Sequence, residues 1–240
     1  MPEIPSLDAI KIFADGASVT SMLEAARDPR ISGFTTNPTL MRKAGVADYR
    51  AFAREVLAGI RDKPISFEVF ADDVAGMRRQ AREIAAWGDN VYVKVPVTNT
   101  RGAATTDLVR ELAAGGVKLN VTALCTLDQV REVARALAGG APSVISVFAG
   151  RIADTGRDPI PLMREALSIC RAAHRGIELL WASPREVLNI VQAAEIGCDI
   201  ITVTSDLLAK LPLIGKPLDA FSLETVQMFH RDADAAGYEL

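Results

Sequence analysis

Short runs dense in Val, Ile and Phe recur along the chain, separated by stretches rich in Ala, Leu, Arg and Glu at helical spacing. The apolar runs are KIFAD (11–15), GFTTN (33–37), ISFEVF (65–70) and NVYVKVP (90–96), then VKLNVTAL (117–124), SVISVFAG (143–150), IELLWAS (177–183) and DIITVTS (199–205). Each begins roughly 20 to 35 residues after the last, a repeat long enough for a strand and a crossover helix. The intervening segments carry helix signals. In TLDQVREVARAL, Thr126 is placed to cap a helix with Gln129 at its third position, and Leu127, Val130, Val133, Ala134 and Leu137 form one apolar stripe. Ser183-Pro184-Arg185-Glu186 predicts another start, with Ser183 as cap and proline at the first helical position. Gly115-Gly116, Gly139-Gly140 and Gly176 stand where helices should stop.

Eight such repeats predict a parallel (β/α)8 TIM barrel, with a C-terminal helical tail over 217–240 and a single domain over 1–240. An open doubly wound sheet is the main competitor. It often carries a Gly-rich phosphate loop, and neither GxGxxG nor GxxxxGK[ST] occurs.

Composition narrows the function classes. Of 240 residues, 49% are hydrophobic, enough for a sizeable core. The 27 basic and 30 acidic residues leave a net charge of −3 with no long block of either sign. That argues against nucleic acid as a partner, and leaves room for a small anionic ligand. Cys125, Cys170 and Cys198 fit neither a disulfide framework nor a CxxC metal site, so a reducing compartment is expected. The first residues, MPEIPSLDAIKIFADG, are unlike a signal peptide, and no apolar run approaches a membrane span. His174 and His230 are too few for a three-histidine zinc site. The expectation is a soluble cytoplasmic protein with no membrane partner, no metal and no other cofactor.

In a barrel, chemistry collects where strands end. Those ends carry Asp15, Asn37, Glu68, Lys94, Thr122, Ser146 with Arg151, Ser183 with Arg185, and Thr204-Ser205. Lys94 stands out among seven lysines as the one deep inside an apolar strand, and alternation puts Tyr92, Lys94 and Pro96 on one face. It either points outward, neutralises a buried carboxylate, or supplies chemistry. Burial disfavours an ammonium, and a neutral amine is the form that attacks a carbonyl. Asp15 and Glu68 are candidate proton-transfer carboxyls; the alternative for Asp15 is a helix cap, and for Glu68 an ion pair with an arginine. Thr122 shares a strand face with Asn120. Ser183 and Arg185 would form an anion site if a helix begins there, and Arg151 offers a fork suited to phosphate. Trp181 is expected to fill the barrel. The cysteines carry no catalytic signal.

GFTTNPTL, VYVKVPVT, LNVTAL and SVFAGRIAD, in this order and spacing, resemble the transaldolase family, including its short bacterial members and the related fructose-6-phosphate aldolases. The resemblance runs from about residue 11 to about residue 211. It implies a (β/α)8 barrel and a class I mechanism in which Lys94 forms an iminium with a ketose phosphate. By matching motif, Asp15 would be the acid/base in carbon–carbon cleavage, and Glu68 with Thr122 would hold the water used in proton transfer. Asn37, Asn120 and Ser146 would bind the three-carbon unit, and Arg151, Ser183 and Arg185 the substrate phosphate. Fructose-6-phosphate aldolases carry Gln where Glu68 stands and Tyr where Phe148 stands. Glu68, Phe148 and Asn120 fit the transaldolase pattern, so transfer of a dihydroxyacetone unit between sugar phosphates is expected. An aldolase releasing dihydroxyacetone and a non-catalytic sugar-phosphate-binding barrel are the alternatives. ADGAS in strand 1 and WASPREV in strand 7 depart from the common family sequence. The apolar positions of the tail, Leu218, Phe221, Leu223, Val226 and Phe229, call for a partner surface. That surface is either the chain's own barrel or another subunit, and a homo-oligomer is expected.

Overall fold

A computed structural model describes residues 6–239. The first five residues, read above as unlike a signal peptide, and Leu240 at the end of the tail lie outside them. The strands are β1 (Lys11–Asp15), β2 (Ile31–Thr35), β3 (Ile65–Glu68), β4 (Val91–Pro96), β5 (Leu119–Leu124), β6 (Ser143–Val147), β7 (Ile177–Trp181) and β8 (Ile200–Thr204). They pair in parallel, in chain order, and β8 returns to β1 to close a barrel. The first helices are α1 (Val19–Ala25), α2 (Pro38–Lys43), α3 (Tyr49–Gly59), α4 (Val74–Ala85) and α5 (Thr106–Ala114). They are followed by α6 (Leu127–Leu137), α7 (Ala149–Asp154), α8 (Ile160–Ala173), α9 (Leu188–Glu195), α10 (Ser205–Leu208) and α11 (Leu218–Ala236).

Local chemistry sets the boundaries. Thr126 and Gln129 form the expected reciprocal cap of α6. β2 starts and ends two residues earlier than its apolar run predicts, because Asn37 is already the cap of α2. Its side-chain oxygen accepts from Leu40 N–H at 3.0 Å, and Pro38 opens the helix. The start predicted at Ser183 is not observed: α9 begins at Leu188. Ser183 has φ +60°, outside the extended conformation usual for a cap. The Asn189 side chain instead gathers the N–H groups of Arg185 and Glu186, at 2.7 and 3.2 Å, and turns the chain ahead of the helix. Ser183 is also pressed against α7. A Cβ on Gly150 would lie 1.5 Å from the Ser183 carbonyl oxygen, so only glycine fits there.

Alternation along each strand divides the barrel into two cores. Outward residues such as Val93, Val95, Ile145, Leu179 and Val203 pack under the helices. Trp181 is among them, wholly buried, rather than inside the barrel as expected. The physical reason is parity, since its neighbours Leu180 and Ala182 belong to the inner cluster with Phe13, Val144 and Ile200. Gly33 makes room for that plug, since a Cβ there would sit 2.6 Å from the Phe13 ring. The interior is therefore apolar around this plug, and Asp15, Glu68 and Lys94 lie beyond it toward the strand ends.

The tail does not pack on its own barrel. None of the 19 residues of α11 is buried, and Leu218, Phe221, Leu223, Val226 and Phe229 are between 44% and 69% exposed.

Candidate active site

Lys94 faces inward from β4 and is 6% exposed. Its Nζ donates to the Thr36 carbonyl at 2.9 Å and stands 3.5 Å from Glu68 Oε2. The strand register makes this meeting unavoidable, because Glu68 and Lys94 are direct partners across β3 and β4. Glu68 thus faces a lysine rather than the arginine its sequence allowed. Burial pushes the Glu68 carboxyl above its ordinary value; Lys94 opposes this, and the nearby Asp15 charge adds to it.

Asp15 ends β1 and does not cap a helix, since Ser18 caps α1. Its Oδ1 accepts from the Thr35 hydroxyl at 2.8 Å and its Oδ2 from the Asn37 amide at 3.4 Å. The Thr35 hydroxyl is in turn paired with that of Thr202. Burial raises the Asp15 carboxyl, and the Lys94 charge and the two hydrogen bonds only partly offset it.

A second chain of hydrogen bonds runs along the opposite strands. Ser146 Oγ donates to Asn120 Oδ1 at 2.6 Å, and Asn120 Nδ2 donates to Ser66 Oγ at 3.0 Å. Beside them the Thr122 hydroxyl is buried without a hydrogen-bond partner among the described residues. The register of β5 against β6 shifts between Val121 and Leu124, and Ala123 adopts φ +68° within that irregularity. Bulges of this kind re-aim neighbouring side chains.

A cavity of about 410 Å³ opens over these groups. Asp15, Asn37, Glu68, Lys94, Thr122, Ser146, Phe148, Arg151, Ser183 and Arg185 all line it. Asn120 does not; it is fully buried behind Ser146, with its amide committed to Ser146 and Ser66. Thr204 reaches the cavity, whereas Ser205 opens α10. At the rim, Arg151 lies over the Phe148 ring, 5.8 Å from its centroid, with no carboxylate partner among the described residues. Arg185 is held at both ends of its fork by Asp154, with Nε 3.0 Å from Oδ1 and Nη2 bonded to Oδ2. Thr35, Ser66, Thr202 and Asp154 were not singled out from the sequence. The two threonines and the serine carry no local sign beyond inward parity near strand ends.

Among the described residues no group of three His, Cys, Asp or Glu is placed to hold a metal ion, and no helix is long and apolar enough to cross a membrane.

The closed parallel barrel, with a lysine and two carboxyls gathered at one mouth, places the chain among the (β/α)8 TIM barrels. A solved structure titled a putative fructose-1,6-biphosphate aldolase, from Coccidioides immitis, shares the fold, with a TM-score of 0.53 and 13% identity over 81% of this chain and 76% of that one. The chain belongs to the transaldolase/fructose-6-phosphate aldolase family, whose sequence pattern it matches over residues 12–240. It is 42% identical to a probable transaldolase of Roseiflexus castenholzii over 193 residues, which is 80% of this chain and 85% of that protein. A probable transaldolase of Dehalococcoides mccartyi is 35% identical over 202 residues, 84% of this chain and 90% of its own length.

The raised Asp15 carboxyl has a consequence for stability. The native state keeps this proton to higher pH than the unfolded chain, whose ordinary value is 3.8, so stability falls as pH rises above that point. Asp15→Asn removes the buried charge and is expected to stabilise the protein at pH 7 by about 1 kcal/mol, with the gap closing toward pH 4. Thermal melts of both proteins across that range check it. A variant less stable than the parent at pH 7 would show that the contacts outweigh the burial.

Proposed function

We propose that this protein is a transaldolase-type transferase. It moves a dihydroxyacetone unit from a ketose phosphate, such as fructose 6-phosphate or sedoheptulose 7-phosphate, to an aldose phosphate through a Schiff base on Lys94. The observation that carries this reading is the buried Lys94 amine, 3.5 Å from Glu68 and within a cavity that also contains Asp15 and the unpartnered Thr122 hydroxyl. Once its ammonium proton has passed to a carboxylate of the site, Lys94 Nζ adds to the ketose carbonyl, and the carbinolamine loses water to give the iminium. Glu68 and Thr122, holding a water between them, move the protons of those two steps. Asp15 then takes the proton of the C4 hydroxyl as the C3–C4 bond breaks, and the bonding pair passes into the iminium to leave an enamine. The first aldose phosphate departs. The enamine carbon attacks the acceptor aldehyde, Asp15 returns its proton to the new hydroxyl, and hydrolysis frees the ketose product and the lysine.

Asn37 and Ser146 face the same cavity and hold the hydroxyls of the three-carbon unit, while Asn120 keeps Ser146 in place from behind. Arg151 is the principal phosphate ligand, because its guanidinium has no carboxylate partner among the described residues. Arg185 is tied to Asp154, and together with Ser183 it forms the edge of that subsite. Phosphate held at the rim orients the bond to be broken through binding energy remote from the chemistry. Glu68 and Phe148, which match transaldolases rather than fructose-6-phosphate aldolases, support transfer over aldolase release. Composition supports a cytoplasmic enzyme, and the uncovered apolar side of α11 supports a homo-oligomer.

Fructose 6-phosphate incubated with and without erythrose 4-phosphate tests the reading. Sedoheptulose 7-phosphate and glyceraldehyde 3-phosphate are expected with the acceptor, and negligible turnover without it. Free dihydroxyacetone formed at the same rate in both reactions would make the protein an aldolase, and binding without turnover would leave only a sugar-phosphate-binding barrel. Arg151→Ala is expected to raise KM for fructose 6-phosphate by on the order of tenfold to a hundredfold, the loss of a charged hydrogen bond. Its effect on an unphosphorylated ketose donor should be within about twofold by the same argument. Equal effects on both donors would remove Arg151 from the phosphate subsite.

A further inference from the structure

Glu68 is the last residue of β3, one step past the support that β2 provides. β2 and β3 pair at Phe34 with Ile65 and at Thr35 with Ser66. The last rung between them is the Thr36 N–H donating to the Ser66 carbonyl at 3.2 Å. Beyond it the chain of β2 turns at Asn37 into α2, so the Glu68 N–H and C=O meet no strand on that side. Backbone groups left so within a protein are costly.

Tyr49, the first residue of α3, fills the gap. Its hydroxyl accepts from the Glu68 N–H at 2.7 Å and donates to the Glu68 carbonyl at 3.1 Å, doing with one side chain what a neighbouring strand would do with two groups. The ring is fixed by other aromatics, edge-on to Trp87 with centroids 5.4 Å apart and 4.7 Å from Phe70. Burial raises the Tyr49 phenol, so it keeps the proton it donates. On the opposite side, Glu68 is matched with Lys94, and the Val69 N–H donates to the Lys94 carbonyl at 3.0 Å. The end of β3 is thereby held from both sides at the residue whose carboxyl meets the lysine.

We propose that Tyr49 is a positioning residue for the reaction: by closing both backbone groups of Glu68 it fixes the Glu68 carboxyl beside Lys94 Nζ. The consequence for turnover rests on the proton-transfer role given to Glu68 above. Tyr49→Phe keeps the ring and removes the hydroxyl. It is expected to lower kcat for transfer from fructose 6-phosphate by on the order of tenfold, since small misplacements of reacting groups carry penalties of this size. KM should stay within about twofold, because Tyr49 lies outside the substrate cavity. In a Glu68→Gln background the same substitution should change kcat by less than about twofold, as groups that act through one another are not additive. An unchanged kcat, or the same loss in both backgrounds, would overturn the proposal and leave Tyr49 a structural cap only. If Tyr49→Phe melts near assay temperature, the comparison is made in sucrose, which favours the folded state.

A readout without turnover separates this idea from the function on which it rests. The Glu68 carboxyl, followed by carbon-13 NMR, should titrate at lower pH in Tyr49→Phe than in the parent, because a loosened side chain regains solvent. An unmoved titration would overturn the positioning role even if the parent proved inactive.

Discussion

One amine cannot neutralise two buried carboxyls. Lys94, Glu68 and Asp15 share a polar layer above the apolar cluster of Phe13, Val144, Leu180 and Ile200. The lysine charge draws both carboxyls toward ionisation, yet burial outweighs it at each, and the Asp15 charge further disfavours that of Glu68. Both carboxyls therefore keep their protons to higher pH than they would in water. The surrounding hydrogen bonds fix the geometry in which they do so. Thr35 and Asn37 hold Asp15, Thr36 holds the lysine, and the Tyr49 hydroxyl holds the backbone of Glu68.

The barrel meets this constraint through register rather than through loops. Pairing of β3 with β4 sets Glu68 opposite Lys94, and pairing of β4 with β5 sets Asn120 opposite the same lysine. Three adjacent strands thus deliver the lysine, one carboxyl and the amide that orients Ser146. Strain is kept to the rim. The non-glycine residues with left-handed φ among those described are Ala123 and Ser183, and both line the cavity. Backbone strain tends to collect at functional sites in this way. At Ser183 it is locked by the glycine-only contact with α7, which also carries Arg151.

Much of this was legible in the sequence because alternation is strict and the strands are short. The run NVYVKVP identifies a strand and sets Lys94 on one face with Tyr92 and Pro96, but that this face is the inner one emerged only with the closed barrel. Trp181, expected to fill the barrel, faces outward, because it alternates with Leu180 and Ala182 of the inner cluster. Ser183 failed for another reason. Ser-Pro is a strong local start signal, and a contact with Gly150, distant in sequence, overrides it. Tyr49 and Thr202 were invisible, because one acts through a backbone and the other is an ordinary strand threonine until the barrel closes. The resemblance to transaldolases was carried by motifs that prove to be the strand ends themselves, where β2, β4, β5 and β6 meet the cavity.

The central claim is that Lys94 acts as a nucleophile toward a ketose carbonyl. Borohydride reduction in the presence of fructose 6-phosphate, read by intact mass and peptide mapping, tests it most directly. The account predicts a dihydroxyacetone-sized adduct on the peptide containing Lys94, diminished when erythrose 4-phosphate is added before the reductant. No adduct, or an adduct that persists in full in Lys94→Arg, would contradict it.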